Sequence, residues 1–229
     1  MSAPLFPTLP SPVVLVTGAA KLLGRDTALL LAAQGWRVAV HYRDSVEEAR
    51  RTVADCSALT PGAQAMRSNL GNETAVRNLL PAVVEAFGQV DALVHCASTF
   101  EHDTAASFSF AAMEKHMRSN AGAAIVLSQA LHTHISKRRK QQPEASGVVV
   151  NLLDQKLRNQ TPDFLSYSLS KAALEVATSM LALNLQPLLK VVGVSTAEQA
   201  AQALCLRPVA LAAAATPTPP GATPAAQHA

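Results

Sequence analysis

From residue 13 onward, short apolar runs alternate with longer stretches in which apolar residues recur every three or four positions. That alternation predicts strand–helix–strand units around a parallel sheet. The segments VVLVT (13–17), RVAVHY (37–42), VDALVHCA (90–97), GVVVNLL (147–153) and KVVGV (190–194) read as strands, and AQAMRSNL (63–70) holds another. Helical periods fall at 25–35, 46–58, 73–87, 110–139 and 165–186. The 90–97 strand is very apolar, as a strand covered on both faces should be. The expected fold is therefore α/β, a Rossmann-like doubly wound parallel sheet, with ligands at the carboxyl ends of its strands where the strand order reverses.

The pattern stops at Leu206. Residues 207–229 form an Ala/Pro-rich tract without periodic burial, expected to be disordered. Four prolines among residues 1–12 predict a flexible N-terminal segment. Residues 13–206 are left as a single domain. With 49% hydrophobic and 15% charged residues, it can bury a substantial core.

Charge and cysteines narrow the function classes. The net charge of +3 is partly local, because Lys137, Arg138, Arg139 and Lys140 end a long helical stretch, where cations suit the helix dipole. Aromatic residues, at 4%, are too few for base-stacking platforms, so no nucleic-acid partner is expected. Cys56, Cys96 and Cys205 are widely spaced with no CxxC, which points to a reducing cytoplasm and no metal site. No basic segment precedes an apolar one at the N-terminus, and no apolar run approaches the length of a membrane span.

Two segments carry candidate chemistry. VTGAAKLLGR (16–25) leaves the first strand and opens a helix. Gly18 and Gly24 there permit a tight turn, and the helix N-terminus offers free N–H groups to a pyrophosphate. The second strand ends in His41, Tyr42, Arg43, Asp44 and Ser45. A cation and small donors at that tip suit the 2′-phosphate of NADP, whereas an acid suits the ribose of NAD. Arg43 and Ser45 favour NADP(H), against Asp44. In the second segment, Tyr167 and Lys171 lie four apart, either as an ordinary solvated helix pair or as a proton-delivery site. In the latter case the ammonium shares the tyrosine's face and is expected to lower the phenol from its usual value of about 10.

Thr17-Gly18 through Gly24, Asn120 and Tyr167-x-x-x-Lys171 together resemble the short-chain dehydrogenase/reductase superfamily. The closer resemblance is to its pteridine and dihydromonapterin reductases. TGAAKLLGR (17–25) is similar to their TGAA(K/R)RLGR, HYRDS (41–45) to their HY-basic-Ser, and CASTF (96–100) to their NASSF. Asp154 stands where those reductases have aspartate and most of the superfamily has serine. The resemblance implies that NADP(H) is held by Thr17, Gly18, Lys21, Leu23, Gly24, His41, Tyr42, Arg43, Ser45, Asn69, Leu70, Cys96, Ala97 and Ser98, with Tyr167 and Lys171. It casts Tyr167 as proton donor, Lys171 as its tuner and ribose ligand, and Asn120 as support for a water relay. Ser98, Phe100, Asp154 and Tyr167 would meet the substrate, with Phe100 stacked on a pterin ring or packed as a core aromatic. The implied reaction takes a dihydropteridine to its tetrahydro form. The alternatives are a carbonyl reductase of 3-oxoacyl type, for which a serine is expected at position 154, and a catalytically impaired nucleotide-binding relative. A homodimer or homotetramer is expected, because family members assemble partly on the helices corresponding to 110–139 and 165–186.

The chain also departs from the pattern. Leu22 replaces a glycine or arginine, His95 and Cys96 replace an Asn-Asn pair, and Asn69 replaces an adenine-contacting aspartate. After the sixth strand a Pro-Gly segment and the seventh strand are missing, although STAEQAAQALCL (195–206) resembles the late helix. An exposed sheet edge, a poorly shielded site and weak turnover are expected from this shortened C-terminal part.

Overall fold

The structure, a computed structural model, describes residues 11–205; the expectations for the lead segment through residue 10 and for the Ala/Pro-rich tail lie outside them. Six strands, β1 (Val13–Thr17), β2 (Arg37–Tyr42), β3 (Gln64–Arg67), β4 (Ala92–His95), β5 (Gly147–Leu152) and β6 (Leu189–Val194), form one sheet in the order β3-β2-β1-β4-β5-β6. Every pairing is parallel. The order reverses between β1 and β4, which opens a crevice at their carboxyl ends. All residues of β1, β4 and β5 are buried, which accounts for their nearly unbroken Val/Leu/Ala character.

Alternate residues of each strand feed opposite layers. Val14 and Val16 of β1 pack with Ala28 and Leu31 of α1 (Leu22–Ala33), Ala49 and Cys56 of α2 (Val46–Leu59), and Leu204 of α7 (Ala197–Cys205). Val13 and Leu15 pack instead with Leu79 and Val83 of α3 (Glu73–Phe87), and with Leu127 and Leu131 of α5 (Ala123–Arg138). The similarity of 195–206 to a late helix thus corresponds to α7, which docks beside α1. Among the described residues β6 pairs only with β5 and leaves the sheet edge open, as expected without a seventh strand.

The periodicity from 110 to 139 predicts one uniform helix, but the structure differs. α4 (Phe110–His116) runs into a π-helical turn, Met117–Gly122, before α5 begins. The apolar spacing survives a single widened turn, so sequence periodicity does not register it. Asn120 lies inside that turn. The remaining helix, α6 (Leu165–Asn184), follows β5 through a loop and a 3₁₀ turn, Gln155–Leu157.

Candidate active site

At the β1 end, Gly18 takes the left-handed conformation with φ 67°. A Cβ on Gly18 would stand 2.8 Å from Ala97 Cα, and one on Gly24 would stand 2.2 Å from the Gly18 carbonyl oxygen. Both positions therefore require glycine. His41 braces the turn, its Nδ1 accepting from the Gly18 N–H at 3.0 Å and its Nε2–H donating to the Ser68 carbonyl at 3.2 Å. Burial holds this imidazole down to about 4, so it is neutral at physiological pH, and neither ring nitrogen is left for a ligand. Thr17 is also fully buried, and its hydroxyl oxygen accepts from the Cys96 and Ala97 N–H groups, each at 3.1 Å.

A cleft of about 420 Å³ opens from this turn. It is lined by Gly18, Lys21, His41, Tyr42, Arg43, Asp44, Ser45, Asn69, Leu70, Ala97, Ser98 and Phe100, and by Gly71, Thr99, Glu101 and Ser119, which sequence reasoning did not single out. Of the residues expected to hold the cofactor, Thr17, Leu23, Gly24, Cys96, Tyr167 and Lys171 stand outside this lining, as do Asn120 and Asp154; Ser98 and Phe100 join the cleft to the tyrosine.

The donor set fits an anionic dinucleotide. The first turn of α1 carries no acidic residue, and Lys21 at its N-cap contributes no side-chain cap, so its amides are uncommitted to side chains. Lys21 lies 2.8 Å from Glu48, and Arg43 lies 2.6 Å from Asp44. Both pairs are exposed and therefore weak, so either cation can turn to a phosphate at small cost. Ser45 at the α2 N-cap also makes no cap bond through its side chain. Leu22 departs from this set, being 84% exposed at φ 49° and offering neither charge nor glycine's freedom.

At the other end, Tyr167 and Lys171 share one buried side of α6, at 5% and 4% exposure, with the Lys171 Nζ 5.9 Å from the tyrosine ring centre. They are not a solvated helix pair. The ammonium donates to the Leu152 carbonyl at 2.8 Å, while the Tyr167 hydroxyl donates to the Asp154 carboxylate. The other oxygen of Asp154 accepts from the Lys156 N–H at 2.8 Å and caps the 3₁₀ turn. Asp154 is thus both a loop cap and the tyrosine's partner.

This arrangement corrects the expected electrostatics of the phenol. Burial, then the hydrogen bond to Asp154 and that carboxylate's charge, push the Tyr167 hydroxyl above its ordinary value, and only the Ser98 hydroxyl opposes them. Burial also lowers Lys171, with Asp154 acting against it. A carboxylate bonded to the hydroxyl outweighs an ammonium engaged with a carbonyl elsewhere.

The loop from 96 to 109 is bound to the helices around it. Asn120 is fully buried; its Oδ1 accepts from the Thr99 N–H at 2.6 Å, and its Nδ2 donates to the Thr99 carbonyl and to Ser170 Oγ, both at 2.9 Å. The Asn120 amide therefore couples the loop to α6. Asp103, 4% exposed, caps α6 from a distance, accepting from the Ser166 N–H at 3.0 and 3.2 Å and from its hydroxyl at 2.5 Å. The helix needs this cap because Phe164, at its own N-cap position, is left-handed with φ 62° and makes no side-chain bond.

The Phe164 ring stacks on Phe100 at 4.3 Å, and Phe100 stands edge-on to Tyr167 at 4.7 Å. Lys156 lies 4.2 Å from the Phe164 ring centre and 4.9 Å from that of Phe100. Phe100 is 50% exposed and so is no core aromatic. Phe164, Asp103 and Lys156 were missed by sequence reasoning. Asp103 meets Ser166 across 63 positions, and no local pattern signals such a contact.

Cys96 is inert, its thiol pushed up to about 12 chiefly by burial. Among the described residues no cluster of three His, Cys, Asp or Glu side chains could hold a metal, and no helix is long and apolar enough to cross a membrane.

The chain is 30% identical over 176 residues to subunit BbsD of a hydroxy(phenyl)methylsuccinyl-CoA dehydrogenase from Thauera aromatica, covering 76% of this chain and 66% of that one. It is 39% identical over 83 residues to the 3-oxoacyl-(acyl-carrier-protein) reductase FabG of Staphylococcus aureus, covering 36% and 34%. It thus spans just under two thirds of the first curated relative's length and about a third of the second's. The structure of FolM alternative dihydrofolate reductase 1 from Brucella suis in complex with NADP is similar with a TM-score of 0.72 at 29% identity, covering 80% of this chain and 74% of that one. Residues 12–202, a range that includes all six strands and Tyr167, match the short chain dehydrogenase family, and the chain therefore belongs to the short-chain dehydrogenase/reductase family of oxidoreductases.

Proposed function

We propose that this chain is an NADPH-dependent reductase of pterins, taking a dihydropteridine to its tetrahydro form. The observation that carries this reading is the Asp154 carboxylate bonded to the Tyr167 hydroxyl beside Ser98 and the exposed Phe100. A carbonyl being reduced develops negative charge on oxygen, which a neighbouring carboxylate repels. A pterin instead presents N–H groups for a carboxylate to accept, and a flat ring for Phe100.

In the reaction, the C=N bond of the dihydropterin gains a hydride at carbon and a proton at nitrogen. When bound, the nicotinamide cofactor supplies the hydride. Tyr167, hydrogen-bonded to Asp154, holds the proton, the raised phenol keeping it through neutral pH until the ring nitrogen takes it. Ser98 and Phe100 orient the ring. Lys171, on the same side of α6, holds the ribose, and Asn120 keeps loop and helix in register. At the cofactor end, the amides after Gly18, with Lys21, Arg43 and Ser45, take the phosphates. NADP(H) is favoured over NAD(H) because Arg43 and Ser45 sit at the tip of β2, and the NADP bound to the FolM structure supports the same choice.

The carbonyl-reductase reading has one support, the identity to the 3-oxoacyl reductase. The reading as an impaired relative is favoured by Leu22 and the open β6 edge. We also take the protein to be a homodimer or homotetramer, because Leu169, Val176, Met180 and Leu183 leave an exposed apolar stripe along α6. NADPH oxidation with dihydropterin and with a 3-oxoacyl thioester separates these readings. Turnover of the pterin is expected, with Tyr167→Phe lowering kcat about 10²- to 10⁴-fold. Turnover of the thioester alone would establish carbonyl reduction, and cofactor binding without any turnover would establish the impaired relative.

A further inference from the structure

Below the π turn a polar row crosses the sheet. Thr17 of β1, His95 of β4 and Asn151 of β5 are register partners in succession, and all three are fully buried. Partners in register project to the same face, here the one covered by α6, because the Asn151 amide donates to Thr178 Oγ1 at 2.9 Å.

The direction of each hydrogen bond in the row is fixed by its neighbours. The Thr17 oxygen accepts from two backbone N–H groups, so its own proton goes to His95 Nδ1 at 3.1 Å. Nδ1 is then an acceptor, and the proton of the neutral ring sits on Nε2. At the far end, Thr178 donates its hydroxyl proton to the Leu174 carbonyl at 2.7 Å. It can therefore only accept from Asn151, which sets that amide with Nδ2 toward Thr178 and Oδ1 free. One buried donor, His95 Nε2–H, and one buried acceptor, Asn151 Oδ1, are left without a protein partner. They belong to residues paired across neighbouring strands.

We propose that a single buried water molecule joins His95 to Asn151, accepting from Nε2–H and donating to Oδ1. No direct bond joins His95 Nε2–H to Asn151 Oδ1, and one water between the two side chains satisfies both. Such a water needs two to four polar partners. The third comes from the π turn, because the Ser119 and Asn120 carbonyls lie close enough to raise His95 somewhat against the larger effect of burial, yet neither meets Nε2–H in hydrogen-bond geometry. The water thereby fastens the ends of β4 and β5 to the turn that carries Asn120. His95 is a positioning residue, reaching through this water a turn that its ring does not bond directly.

Histidine-selective nitrogen NMR and a crystal structure of the wild-type protein test this. The expected result is an Nε2–H tautomer at neutral pH, with a slowly exchanging ring proton in contact with bound water. At about 1.5 Å resolution, density is expected within hydrogen-bond distance of both Nε2 and Oδ1. His95→Phe should lose that density and lower the Tm by several degrees. His95→Asn, which keeps an amide donor, should recover at least half of the loss. An Nδ1–H tautomer overturns the proposal, as does Nε2–H bonded directly to the Ser119 or Asn120 carbonyl with no density between the strands. Because both decisive readouts are taken on the wild type, a variant that fails to fold does not weaken them.

Discussion

The two halves of the site, the glycine turn and the tyrosine group, are built by different means. The glycine-turn end is made from backbone within one strand–turn–helix unit, where Gly18 and Gly24 make room and His41 braces from the adjacent strand. The tyrosine end is made from side chains far apart in sequence, with Asp103, Asn120 and Asp154 each meeting a partner between 13 and 63 positions away. A backbone site fails when an atom is added to it, whereas a side-chain site fails when a bond is removed from it.

Adding an atom should have the largest effect. Gly24→Ala forces a Cβ against the Gly18 carbonyl and is expected to cost more than about 3 kcal/mol and to abolish cofactor binding, read by thermal unfolding and NADPH fluorescence titration. An unchanged binding curve would show that the turn does not hold the phosphates.

Acidification acts next, and again on the first end. The His41 ring titrates at about 4 in the folded chain, below its ordinary value of about 6.5, so the unfolded chain binds the extra proton first. The contribution of His41 is complete above about pH 6.5 and falls away toward pH 4, by roughly 3 kcal/mol in all. Urea unfolding across that range should show stability rising with pH, and His41→Asn should flatten the rise.

Removing a bond at the tyrosine end should cost less stability but more chemistry. Asp103→Asn weakens the α6 cap by about 1–2 kcal/mol and should lower kcat of any turnover with little change in NADPH affinity. Equal losses in both would mean that the two ends are not separable. The smallest effect is expected at Leu22, whose left-handed backbone is strained and whose side chain is mostly exposed. Leu22→Gly should raise stability by about 0.5 kcal/mol, the relief of strain being partly offset by a more flexible unfolded chain.

The same division explains what was legible beforehand. The strands VVLVT and RVAVHY were readable to the residue, because burial on two faces imposes a short, largely apolar run, and Gly18 after the first and Gly35 before the second mark its limits. α3 was readable at both bounds, with Asn72 capping its start and Gly88 left-handed at its end. The third strand shrank to four mostly exposed residues at the sheet edge, where little burial constrains the pattern. The π turn was invisible because one extra residue per turn leaves the apolar spacing of α4 and α5 intact. Tyr167, Lys171 and Asp154 could be nominated by type and spacing, but the direction of the phenol's shift could not. It depends on which neighbour touches the hydroxyl.

The sequence by itself determined the alternating architecture, the glycine turn and the residue types gathered near the cleft, because those follow from periodicity and from the conformations that individual residues allow. Only the tertiary structure decided that Asp154 rather than Lys171 governs the Tyr167 hydroxyl, that Asp103 caps α6 and that Phe164 covers Phe100. Burial and hydrogen-bond geometry depend on which distant segments come into contact, and no local pattern along the chain records that.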